Sequence, residues 1–244
     1  MAAASPIRDT RNDRLQRLDA LRASWMLWMA AFHFCFDLAW FRITDWNFYA
    51  DPRWTLQRTL ILSGFLFWAG LGQGLAQQAG QGAARFWRRW AQVAGAALLV
   101  SAGSWLAFPH SYISFGVLHA FALMLPLLRF GAPLLGTPAL LALALLAIAL
   151  PQLLQHAWFD SRWTNWLGLV TRKPVTEDYV PLLPWAAPLL LGLVAARQRR
   201  LQRLLQGGAP RWLVGLGRWP LSFYLLHQPL LIGALWLWQR TMAS

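Results

Sequence analysis

A chain of 244 residues that is 57% hydrophobic, only 13% charged and contains 17 Trp does not read as a soluble domain, where about a quarter of residues are charged. The net charge of +13 rests on arginine, with Lys173 the one lysine. Most arginines flank apolar blocks, the pattern of topology signals and headgroup contacts rather than of a nucleic-acid surface. The lone Cys35 excludes an intramolecular disulfide and a multi-cysteine zinc site, and no metal is expected.

Residues 1–18 form a polar, basic segment with Arg8, Arg11, Arg14 and Arg17. It has the look of a signal-peptide n-region. The apolar run behind it is nevertheless too long for an h-region, lacks a small-residue cleavage site and contains His33 and Asp37, so it is kept as a first span over about 20–41. Further spans are predicted at about 56–76, 90–108, 114–130, 134–153, 180–196 and 213–238, each long enough or nearly so for a hydrocarbon core that needs roughly 20 residues per helix. Pro126, Pro184 and Pro188 fall in the two short spans, and prolines are tolerated at depth where neighbours satisfy the freed backbone. The fold class is therefore an all-α polytopic transmembrane bundle of about seven spans, with residues 19–240 as one domain.

Counting Arg and Lys by side sets the orientation. An internal amino terminus puts fifteen inside (the segment to Arg22, Arg85, Arg88, Arg89, Arg129 and the run Arg197 to Arg218) against seven outside. The amino terminus is thus expected to be cytoplasmic, the carboxyl terminus extracytoplasmic, and the chain integral to a plasma (inner) membrane. The long outer loop at about 154–179 holds Trp158, Phe159, Trp163 and Trp166, which suits an aromatic shelf at the interface.

Ionisable groups at membrane depth cost several kcal/mol, about 2.5–3.5 on insertion scales, so each needs a reason. On a wheel of 100° per residue with Asp19 at zero, Arg22 falls near about 300°, His33 near about 320° and Asp37 near zero again. One stripe therefore climbs the first span, with Arg22 and His33 about 16.5 Å apart along the axis. Asp19 and Arg22 alone read as a local ion pair. A carboxylate one turn from His33 is how an imidazole is held in one tautomer and made a better base. His119 reads equally as a packing residue or as part of a site. His227, flanked by Tyr224 and Gln228, favours a lined cavity. The outer run Glu177 to Trp185 either enters a helix rigidly or presents Asp178 and Trp185 to a sugar or cationic group.

Four blocks together resemble a known family. Arg17-Leu18-Asp19-Ala20-Leu21-Arg22 followed by Phe32-His33-Phe34-Cys35-Phe36-Asp37-Leu38 is similar to the opening signature of the heparan-α-glucosaminide N-acetyltransferase catalytic-domain family, a branch of the transmembrane acyltransferases. Phe115-Gly116-Val117-Leu118-His119, Asp178 to Trp185, and Gly217-Arg218 through Tyr224-Leu225-Leu226-His227-Gln228-Pro229 resemble its later blocks. Ala23 stands where the family usually has glycine, and Pro220 where it usually has serine.

The resemblance implies acetyl transfer from cytoplasmic acetyl-CoA, as co-substrate, to an amine or hydroxyl of an extracytoplasmic glycan or lipid-linked sugar. It implies His33, Asp37 and His227 as catalytic residues, with Asp37 orienting His33. Asp19, Arg22, His119, Asp178, Trp185, Arg218 and Gln228 are then the candidates for binding CoA or acceptor. Expected partners are acyl-CoA, the acceptor and membrane lipids, with no nucleic acid and with a homo-oligomer left open. The stripe alone would also suit a transporter or channel path for a solute or proton, or a non-catalytic relative. Haem or metal ligation by the three histidines is disfavoured because no two share a helix at ligand spacing.

Overall fold

The computed structural model describes residues 15–242, so Arg8, Arg11 and Arg14 of the basic segment lie outside the described residues. The elements are α1 (Gln16–Trp40), α2 (Pro52–Gln78), α3 (Ala83–Ala107), α4 (Val117–Phe130), α5 (Thr137–Leu153), α6 (Leu182–Ala196), α7 (Arg199–Leu205), α8 (Arg211–Leu216) and α9 (Pro220–Met242). Among the described residues the only extended pairing is one parallel bridge between Phe115 and Tyr179, and the class is all-α.

Local chemistry sets the ends. Asp51 caps α2 by accepting from the Arg53 N–H at 2.8 Å, and Pro52 takes the first helical position, where its missing N–H costs nothing. The predicted 213–238 span is corrected here: α8 stops at Leu216 and α9 starts at Pro220. Proline cannot donate into the helix ladder and pushes the residue before it out of the α region, so the run breaks at 217–219. The fourth and sixth spans also begin later than predicted, at Val117 and Leu182. Their first residues are used instead in the bridge, where the Val180 N–H donates to the Phe115 carbonyl.

Among the described residues four helical stretches, 52–78, 83–107, 117–134 and 220–242, are long and apolar enough to cross a membrane, and α5 and α6 are shorter apolar helices. The outward faces are apolar too: Leu98 and Leu99 on α3 are 69% and 70% exposed, and Leu145 on α5 is 68% exposed. Such a surface needs lipid, not water, around it. The chain is an integral membrane protein.

Lipid tails are as apolar as leucine, so helices in a bilayer associate through close fit rather than through the hydrophobic effect. The α2–α6 seam follows this rule. A Cβ on Gly70 would sit 2.0 Å from the Leu189 carbonyl oxygen, and one on Gly192 would sit 2.0 Å from that of Phe67. Gly74, one turn beyond Gly70, faces Leu193 and Ala196. The two backbones meet here, and Leu66, Leu71 and Leu189 are completely enclosed around the contact.

Candidate functional site

Two side-chain clasps tie α1 to α9. His33 Nδ1 lies 2.7 Å from His227 Nε2, and Gln228 Nε2 donates to Asp37 Oδ1 at 2.8 Å. His33 and Asp37 are one turn apart on α1, while His227 and Gln228 are adjacent on α9, so the clasps lie one above the other. Asp37 and His227 are buried, at 2% and 8% exposure.

The tautomers follow from the acceptors. His227 Nδ1 lies 3.0 Å from the Phe223 carbonyl and 2.9 Å from that of Tyr224. Carbonyls only accept, so Nδ1 carries the proton and, in a neutral ring, Nε2 is a bare acceptor. His33 Nδ1 must then be the donor to His227. That leaves the remaining nitrogen of His33, Nε2, with its lone pair uncommitted. The Phe223 ring stacks on His227 at 5.5 Å and 4°, and Phe32 meets His33 edge-on, so packing fixes both rings.

The expected Asp37–His33 contact is corrected. Asp37 bonds Gln228, and His33 is oriented by His227. Spacing of i,i+4 put the carboxylate and imidazole on one face, yet both reach across to α9 rather than to each other. Asp37 Oδ2 and Gln228 Oε1 are buried acceptors without a hydrogen-bond partner.

Towards the start of α1 the stripe divides. Arg22 Nη1 donates to Asp19 Oδ1 at 3.4 Å, the local pair the spacing predicted. The same guanidinium lies over Gly72 of α2, where a Cβ would come within 2.0 Å of Arg22 Nη2. On the other side, Gly217 is pressed onto the Asp19 backbone, with an ideal Cβ 1.9 Å from its carbonyl oxygen. The Gly217-Arg218 block thus docks the α8 end against α1, and Arg218 itself is exposed. Ala23 is fully buried.

Between Arg22 and His33 the α1–α2 seam holds residues that sequence reading missed. The Trp25 indole packs onto Gly64 and meets Trp28 and Trp68 edge-on at 5.7 and 6.0 Å. Trp25 Nε1, Trp68 Nε1 and Gln73 Nε2 are buried donors without acceptors. An unpaired buried donor costs about 1–3 kcal/mol, so the two touching indoles of this seam, with Gln73 further along α2, are a chemical signal. Glycines at 64 and 72, facing two large α1 side chains, were the clue available in the sequence.

His119 is placed differently. The Gly116 N–H donates to its Nδ1 at 3.2 Å, and its Nε2 lies 3.0 Å from Ser101 Oγ. That hydroxyl in turn donates to the Ile113 carbonyl at 2.6 Å. Asp178 Oδ2 accepts from the Val117 N–H at 2.8 Å, so His119 and Asp178 jointly cap α4. Burial raises the Asp178 carboxyl above its ordinary range, against the pull of that N–H, Lys173 and Arg58. Arg58 and Lys173, unmarked in the sequence reading, are the cations that act on this carboxyl. The Tyr224 ring lies 6.1 Å from that of His227. Trp185 packs half-buried on the main core.

The loop at 154–179 keeps its aromatic character, with Trp158 and Trp163 at 63% and 88% exposure. Asp160 ties it together by accepting from the Thr171 N–H at 2.7 Å, and the Thr171 hydroxyl bond holds its carboxyl below the usual range.

No characterised protein and no solved structure gives a match. The model of the family described as "Heparan-alpha-glucosaminide N-acetyltransferase, catalytic" matches residues 14–229, a stretch holding both α1–α9 clasps and the α4 cap, and the chain belongs to that family.

Proposed function

We propose that this protein is an integral-membrane acyltransferase that moves an acetyl group from acetyl-CoA on the cytoplasmic face to an amine or hydroxyl of a glycan or lipid-linked sugar on the other. The observation that carries this reading is the His33–His227 bond, which leaves His33 Nε2 as a free lone pair held by a fixed tautomer. A half-buried imidazole so prepared is a general base, or a nucleophile that carries the acyl group.

The surrounding residues fit both substrates. Acetyl-CoA supplies the activated thioester. The Arg22 guanidinium suits a CoA phosphate, and the donors of Trp25, Trp68 and Gln73 suit the amide carbonyls of its pantetheine arm. Asp37 Oδ2 and Gln228 Oε1 lack donors, and an acceptor amine or hydroxyl brings donors. His33 Nε2 takes the proton of the attacking amine or hydroxyl and returns it to the departing sulfur. The positive-inside count supports an orientation with the amino terminus and Arg22 in the cytoplasm and His33 and Asp37 towards the outside.

The test is acetyl-CoA turnover by purified protein against a panel of amino sugars. His33→Ala is expected to fall to background. Wild-type rates in that variant would sink the assignment, and solute transport without acyl-CoA would favour a carrier.

A further inference from the structure

A second polar site lies at the Arg129 end of the bundle, on the opposite face of α2 from Arg22. A cavity of about 540 Å³ opens between the ends of α2, α4 and α6, lined by Gln77, Gln78, Arg129, Arg197, Phe130 and Leu193 among others. This is within the usual range of small-ligand sites, roughly 300–1,000 Å³. Gly72 faces Arg22 while Gly74 lines this cavity, and two residues on a helix are about 200° apart. The cavity is therefore separate from the α1–α2 seam.

Both guanidiniums are half-buried and held by neutral acceptors. Arg129 Nη2 donates to the Gln81 carbonyl at 2.6 Å, and its charge lies 5.7 Å from the Phe86 ring centroid. Arg197 donates to Thr137 Oγ1 at 3.2 Å and to the Ala132 and Leu135 carbonyls at 3.3 and 3.0 Å. A guanidinium has five N–H donors, so each retains donors beyond these bonds. Gln77 and Gln78 are anchored by bonds to the Leu128 and Ala196 carbonyls.

No carboxylate among the described residues forms an ion pair with either charge. Among the described residues, Asp37, Asp45, Asp51, Asp160, Glu177 and Asp178 lie towards the opposite ends of the helices or in the loops there. Asp19, the acid at this end, holds Arg22. Two fixed cations bordering one cavity, with apolar Phe130 and Leu193 beside them, call for an anion with an apolar neighbour.

We propose that Arg129 and Arg197 bind a phosphate group in this cavity, independently of acyl transfer. Paired guanidiniums suit phosphate oxygens, and basic pockets between helix ends are where phospholipid headgroups are held. The phosphate belongs to an anionic lipid or to a soluble nucleotide, and the experiment separates the two.

The purified full chain is probed by native mass spectrometry with phosphatidylglycerol against phosphatidylcholine, and by thermal shift with ADP in zwitterionic nanodiscs. Wild type is expected to retain phosphatidylglycerol selectively or to be stabilised by ADP, and the responding probe names the source. Arg129→Gln, which loses one backbone bond, should weaken that response at least tenfold, Arg129→Lys should restore part of it, and Arg197→Gln should weaken it further. Arg211→Gln, an exposed arginine at the same end, should leave it unchanged. Failure of wild type to bind either probe overturns the site, as does equal binding by wild type and the Arg129→Gln, Arg197→Gln double variant.

Discussion

The two histidine settings in this bundle differ in one respect that separates support from chemistry. His119 lies in a closed circuit: the Gly116 N–H enters one ring nitrogen, and the other passes through Ser101 to the Ile113 carbonyl. Every donor meets an acceptor, and all partners come from α3 and the segment that leads from it into α4. The His33–His227 circuit begins at the Phe223 and Tyr224 carbonyls, crosses between helices and stops at an unused nitrogen. Both settings are flanked by aromatics, Phe115 at His119 and Phe32 and Phe223 at the pair. Only the open circuit can take up a proton or an acyl group without dismantling the fold.

The largest expected effect comes from removing the open end. His33→Ala should lower acetyl transfer by about 10³-fold, in the range of a lost general base, with an unchanged size-exclusion profile in detergent. His227→Ala comes next, at about 10²-fold, because His33 loses the acceptor that fixes its tautomer. His227→Gln should recover part of that loss, since the amide oxygen can accept from His33 Nδ1. Activity in His227→Ala equal to wild type would mean that the pair is only a helix clasp. Asp37 sharpens the comparison further. If it acted through His33, Asp37→Asn would cripple turnover. On the observed geometry Asn keeps an oxygen for Gln228 but puts a donor where Oδ2 was an acceptor, so KM for the acceptor should rise while kcat stays close to wild type. Asp37→Ala instead strands a buried donor at about 1–3 kcal/mol, read as a lowered melting temperature.

The legible part of this architecture was the part written within single helices. Apolar blocks gave the long helices, and the Asp19–Arg22 pair follows from i,i+3 spacing. His33, Asp37, His227 and Gln228 were all singled out because polar groups at depth need a reason. Their partnering was not legible. Asp37 and His33 share a face of α1, and only the position of α9 decides that Asp37 meets Gln228 and His33 meets His227. The break before α9 was readable from Pro220, which cannot continue the ladder begun by α8. The α2–α6 seam was readable in principle from Gly70 and Gly74, a small-residue pair one turn apart. The orphan donors of Trp25, Trp68 and Gln73 were beyond reach, because being unpaired is a property of the assembled seam.

The smallest predicted effect tests the closed circuit. His119→Ala removes the acceptor for the Gly116 N–H, a cap-like loss of about 1 kcal/mol. Asp178 still holds the Val117 N–H, so α4 keeps part of its start. Asp178→Ala should cost a similar amount, and the double variant should depart from the sum because both residues serve one helix end. The measurement is thermal unfolding beside kcat and KM for the variants. A closed circuit predicts a lower melting temperature with kcat near wild type in His119→Ala. Collapse of kcat at an unchanged melting temperature would place His119 in the reacting machinery, and the distinction between the two histidine settings would fail.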